Sequence, residues 1–141
     1  MISKTAFILA GHAVVNGKGT GAFGVGGFDE AVEALKLRND VSKRLLEMGV
    51  KVVNENSSFS LGQVIAWLGK LVKSGDLVLE IHFNAGPPTA TGVETLVDDT
   101  PTKQELYWAS RISTAVQRVT GEKLRGVNGV KKESEDRKAH V

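Results

Sequence analysis

The chain contains no cysteine. That absence removes a disulfide framework, a thiolate metal site and a cysteine nucleophile together, so any bound metal must be held by histidine and carboxylate. A long hydrophobic run is missing too. Ahead of Gly11 the apolar stretch is only Thr5 to Ala10, too short for the core of a signal peptide or for a membrane span. Nor is there an excess of charge of one sign: 18 Lys and Arg stand against 16 Asp and Glu, a formal net charge of +2. Bulk electrostatics therefore give no reason to expect a nucleic-acid partner. No internal repeat is present. What remains, 141 residues with 41% apolar content, suits one domain spanning residues 1–141 around a single core.

Thr5 to Ala10 (TAFILA) is a continuous apolar run closed by Gly11, the pattern of a strand buried on both faces. A glycine-rich loop follows as far as Gly27. Asp29 then precedes a helical pattern in which Ala34, Leu37, Val41, Leu45 and Met48 recur at spacings of three and four before Gly49. Val50 to Asn54 reads as a second strand. Ser60 and Gln63 form a capping box for a helix with Leu61, Val64, Ile65, Leu68, Leu71 and Val72 on its apolar face. Leu77 to Phe83 (LVLEIHF) is a third strand whose alternation sets Glu80 and His82 on one face. Gly92 to Val97 gives a fourth strand, and Thr100 with Pro101 starts a third helix lined by Leu106, Ala109, Ile112 and Val116. This alternation predicts an α/β domain with a mixed or largely parallel central sheet flanked by helices. Lys131 to Val141 (KKESEDRKAHV), which contains His140, has no apolar periodicity and reads as a solvated, charged tail.

His12 follows the first strand, Glu30 opens the first helix and His82 closes the third strand. Two imidazoles and one carboxylate are a recurring ligand set for a catalytic zinc that keeps a fourth position open to water. Each residue also has an ordinary role: His82 as a hydrogen-bonded strand-end residue, Glu30 as a complement to the helix dipole, His12 as a surface residue of the loop. Two phosphate-binding readings of the glycines fit less well. Gly19 to Gly24 matches G-x-G-x-x-G, but a dinucleotide fingerprint belongs directly at the strand end. Gly11 to Lys18 departs from the P-loop pattern in spacing and in the residue after the lysine.

Gly11-His12 after an apolar strand, Gly19-Thr20-Gly21-Ala22-Phe23-Gly24, Phe28-Asp29-Glu30-Ala31, Ile81-His82-Phe83-Asn84-Ala85, Gly92-Val93-Glu94 and Leu124-Arg125-Gly126-Val127 together resemble the zinc-dependent N-acetylmuramoyl-L-alanine amidases of the Amidase_3 type. The resemblance runs in order over nearly the whole chain. It implies that His12, Glu30 and His82 bind Zn²⁺, and that the substrate is peptidoglycan, cut between N-acetylmuramic acid and L-alanine. Asn84 and Glu94 become polar groups near the site. The family carries a catalytic glutamate on a late strand; here the chain offers only Glu133 and Glu135, in the charged segment, as candidates. The expectation is a domain shortened at its C-terminus, with a complete metal site and an incomplete proton-transfer apparatus.

Glu80 departs from the family's small polar residue two positions before the strand-end histidine. Three roles are open to it: orienting a ligand histidine, pairing with Lys or Arg, or acting as a substitute base. Synthesis in the cytoplasm with action at the cell wall after release or export fits a phage or prophage lysin. The rival reading is a catalytically silent, zinc-binding amidase-like domain with a wall-binding or assembly role.

Overall fold

A computed structural model of the protein describes residues 4–84, 87 and 89–136, which group into two compact units, Met1–Ala85 and Gly86–Val141. Pro88 and the part of the charged tail that holds His140 lie outside the described residues.

In the first unit, β1 (Thr5–Ala10) is buried at all six positions. It pairs in parallel with β4 (Lys51–Val53) on one edge and β5 (Leu77–Ile81) on the other. Phe7, Ile8 and Leu9 are each at most 3% exposed, and burial of side chains of this size contributes roughly 1.5–3 kcal/mol apiece. Parallel neighbours need long crossovers. These are supplied by α1 (Glu30–Glu47), between β1 and β4, and α2 (Leu61–Leu71), between β4 and β5. The Ser60 hydroxyl accepts the Gln63 N–H while the Gln63 side chain accepts the Ser60 N–H, the capping box expected of α2. Trp67 of α2 meets Phe7 edge-on, with ring centroids 5.9 Å apart.

Two expectations about helix faces in this first unit need correction. The buried stripe of α1 is Ala31, Ala34, Arg38 and Ser42, whereas Leu37 and Met48 are exposed. The period is as read, but the face is rotated because polar residues with dedicated partners occupy it. Arg38 pairs with Glu55, and the Ser42 hydroxyl accepts from Asn54. On α2, Leu61, Ile65, Leu71 and Val72 are exposed rather than inward. The glycine loop is also more ordered than its composition implies. Val14–Val15 (β2) and Lys18–Gly19 (β3) form an antiparallel hairpin. Its turn is Asn16-Gly17, both with positive φ (52° and 74°), the geometry an Asn-Gly pair favours in a two-residue hairpin.

The second unit holds β6 (Thr95–Val97), α3 (Lys103–Thr120) and β7 (Val130–Lys132), with β6 and β7 paired in parallel. The expected fourth strand is thus shorter, with Val93 making a single bridge to Leu124. The α3 cap is Thr102, boxed with Glu105, not Thr100 with Pro101: Thr102 has the acid three residues on that completes the box. The buried residues of α3 are Ala109 and Ser113, and Leu106 and Val116 stay exposed. Ser113 is satisfied by Thr95 Oγ1 and by the Gly129 carbonyl, each at 2.7 Å. The charged segment from Lys131 does not begin as a tail. Lys131 and Lys132 belong to β7, because backbone pairing with Leu96 and Val97 asks nothing apolar of their side chains. No helix among the described residues is long and apolar enough to cross a membrane.

Candidate metal centre

The parallel pairing of β1 and β5 continues one residue past β1, where the Gly11 N–H donates to the Ile81 carbonyl at 2.7 Å. His12 and His82 therefore leave adjacent strand ends side by side, their rings edge to face with centroids 5.1 Å apart. Gly11 is what lets the His82 ring lie there: a β-carbon at position 11 would come within 2.4 Å of two ring atoms. Gly21 does the same for His12, whose ring would be 2.7 Å from a β-carbon at that position. His12 itself holds a φ of 66°, an uncommon and costly conformation for a residue with a β-carbon.

Glu30 comes in from the start of α1. Asp29 caps that helix through the Ala31 and Val32 N–H groups and also accepts the Gly19 N–H from the hairpin, so the loop and the helix start are tied together. The Glu30 residue is only 4% exposed. One of its oxygens, Oε2, accepts the Ala22 N–H at 3.0 Å and lies 3.5 Å from His12 Nε2; the other, Oε1, lies 3.3 Å from His82 Nδ1. A ligand atom from each of the three residues falls within 4.8 Å of the others. The structure thus brings together the three residues singled out in the sequence, as a group able to hold a metal ion.

The model of the family described as N-acetylmuramoyl-L-alanine amidase, of the Amidase_3 type, matches residues 7–134. The chain belongs to that amidase family. Among solved structures it is similar to a Neisseria meningitidis protein assigned as an N-acetylmuramoyl-L-alanine amidase, with 28% identity and a TM-score of 0.74 over 95% of this chain and 70% of that one. The N-acetylmuramoyl-L-alanine amidase AmiC2 of Nostoc punctiforme shares the fold, at 24% identity and a TM-score of 0.71 over 92% of this chain and 68% of that one. No curated protein sequence matches.

The remaining candidates of this amidase chain are distributed as follows. Glu80 is in contact with the trio, its Oε1 3.1 Å from His82 Nε2; its partner is a histidine, not the Lys or Arg that was one of its expected roles. Asn84 follows His82 by two residues and is exposed. Glu94, Glu133 and Glu135 belong to the second unit. The Glu94 carboxylate is buried and faces two cations, Arg125 Nε at 3.3 Å and Lys131 Nζ at 3.2 Å. Glu133 and Glu135 form an exposed 3₁₀ turn directly after β7, and the Glu135 carboxylate accepts the Lys132 N–H. A cavity of about 420 Å³ in the first unit lies elsewhere, around the starts of β1 and β4 and the end of α2, lined by Lys4, Lys51, Lys70 and Lys73. The histidines sit at the opposite, C-terminal ends of the strands.

Sequence reasoning missed the residues that hold this strand end in place. Glu55 Oε1 accepts the Ala10 N–H at 3.1 Å, one peptide before Gly11, and Glu55 is itself paired with the buried Arg38 at 3.0 Å. Their only sequence signal is an arginine placed in the inward stripe of α1.

Proposed function

We propose that this amidase is zinc-dependent and hydrolyses the amide bond between N-acetylmuramic acid and L-alanine in peptidoglycan. The observation that carries the zinc reading is the spacing of the donor atoms. One donor atom from each of His12, Glu30 and His82 lies within 4.8 Å of the others, with His12 facing one Glu30 oxygen at 3.5 Å and His82 facing the other at 3.3 Å, a span that small side-chain adjustments around a zinc about 2.0–2.1 Å from each ligand would close. The donor chemistry also fits, since neutral imidazoles and a carboxylate suit zinc. A zinc ion held there would polarise the scissile carbonyl and lower the pKa of a bound water to about 7.

The chain's own residues prepare that site. Glu30 supplies the negative charge, and the Ala22 N–H fixes which of its oxygens faces His12. Gly11 and Gly21, by lacking a β-carbon, leave the room that the two imidazole rings occupy beside the backbone. His12 and His82 remain partly open to solvent, with side chains 38% and 41% exposed, so a bulky substrate can approach from that side.

The test uses purified protein with zinc and isolated sacculi. The expected result is about one zinc per chain and release of L-alanine amino groups, both lost in His82→Ala. Zinc uptake without amino-group release would favour a catalytically silent wall-binding domain, and no zinc uptake at neutral pH would overturn the reading.

A second expectation concerns pH. Hydrogen bonding to Glu80, then the charge of Glu80 and the contacts with Glu30, hold the His82 imidazole above its ordinary value of 6.5, against the opposing effect of burial. In the metal-free protein the stability from protonated His82 is fully present below the unfolded value and is lost as pH rises through the folded one. Zinc requires the neutral ring, so its stabilisation runs the other way. The rise in melting temperature on adding zinc should be small near pH 6 and larger near pH 8, about two units across the histidine range. A zinc-induced rise that is the same at both pH values would count against His82 as a ligand.

A further inference from the structure

We propose that Glu80 is a positioning residue for His82, one that fixes which ring nitrogen faces the metal position. The inference rests on the zinc reading above and goes beyond it, because Glu80 lies outside the His12, Glu30 and His82 group able to hold a metal.

The two residues share a face because they are two positions apart along an extended chain: Glu80 lies within β5, and His82 follows its end. Carboxylate contacts occupy both edges of the His82 ring. Nδ1 is 3.3 Å from Glu30 Oε1, on the side where His12 also points, and Nε2 is 3.1 Å from Glu80 Oε1. An imidazole can turn over about its Cβ–Cγ bond at little intrinsic cost, since this torsion is broad and roughly two-fold. The turn exchanges Nδ1 with a carbon and would leave the ring with no nitrogen toward Glu30. Gly11 underneath and the His12 ring at the edge restrict where the ring plane lies, but neither distinguishes nitrogen from carbon. Glu80 does. With Nε2–H donating to its carboxylate, the turned ring would present a carbon to that oxygen and lose the bond. The same bond places the proton of the neutral ring on Nε2 and leaves the Nδ1 lone pair available to a metal.

The geometry also separates this role from the two alternatives. Among the described residues the group able to hold a metal contains His12, Glu30 and His82 but not Glu80. The oxygen that contacts the ring sits on its Nε2 edge, so the imidazole stands between that oxygen and the Nδ1 side. Glu80 therefore acts through His82 and not on a water held by the trio.

Zinc affinity of the full chain, measured by competition with a chromophoric chelator, tests this. Glu80→Ala should bind zinc about 10- to 100-fold more weakly than wild type. Glu80→Gln, whose amide oxygen can still accept from Nε2–H, should recover most of that loss. Nitrogen NMR of the zinc-loaded protein should show His82 protonated at Nε2 in wild type and Glu80→Gln. Glu80→Ala with wild-type zinc affinity, or a His82 ring protonated at Nδ1 in the loaded wild type, would overturn the proposal. If wild type itself takes up no zinc, the metal reading fails first, and that outcome is distinct because it appears before any substitution is compared.

Discussion

Glu55→Ala lowers the unfolding free energy by about 3–5 kcal/mol, the usual cost of stripping one partner from a buried ion pair. Arg38 and Glu55 are 7% and 6% exposed, and neither can reach water without opening the packing of α1 on the sheet. Without the carboxylate, the Arg38 guanidinium keeps only the Glu55 carbonyl and its neighbour Asn39, and its charge stays uncompensated. The Ala10 N–H loses its acceptor as well, which adds the penalty of an unsatisfied buried donor, roughly 1–3 kcal/mol when fully expressed. A domain of this size has only about 5–15 kcal/mol in hand, so the variant should melt far below wild type. Denaturant unfolding of Glu55→Ala, Arg38→Met and the double variant Arg38→Met with Glu55→Met provides the check. The double variant should be markedly more stable than the sum of the single losses predicts, because it removes both charges. Additive losses would show that the pair is not coupled as described.

Glu30→Ala should weaken zinc binding by more than about 100-fold, beyond the range expected for loss of a residue that merely supports a ligand. Glu30 is the only anionic member of the trio and the one whose two oxygens face both histidines. Glu30→Gln keeps the size of the side chain and an oxygen for the Ala22 N–H, but not the charge. It should fold like wild type and still bind zinc poorly, which separates a ligand from a residue needed only for packing. The same chelator competition measures both variants, and Glu30→Ala with unchanged affinity would sink the assignment.

Much of the first unit was legible because its signals are physical and local. A six-residue apolar run can be solvated on neither face, so β1 had to be central. Histidines that follow two apolar strands were bound to be neighbours once those strands paired in parallel. The hidden parts share one property: polar groups in positions that a hydrophobic pattern reserves for apolar ones. Arg38, Ser42 and Ser113 are inward because a specific partner waits for each, and a one-dimensional pattern does not show partners that are distant in sequence. β7 was hidden for a related reason. Its strand is held by backbone bonds, and its lysines divide: Lys132 is exposed, whereas Lys131 pairs with the buried Glu94 carboxylate. The Asn-Gly turn of the hairpin, by contrast, was visible in the sequence and was submerged in a loop defined by its glycines.

The order of the three donors along the chain has a thermodynamic consequence. They come from positions 12, 30 and 82, so an ion bound by all three would act as a cross-link in a protein that has no cysteine to make one. Joining His12 to His82 would close a loop of about 70 residues, and by the chain-entropy relation for such closures the denatured state would lose the equivalent of about 4 kcal/mol. Metal supply would then govern the lifetime of the folded chain as well as its chemistry.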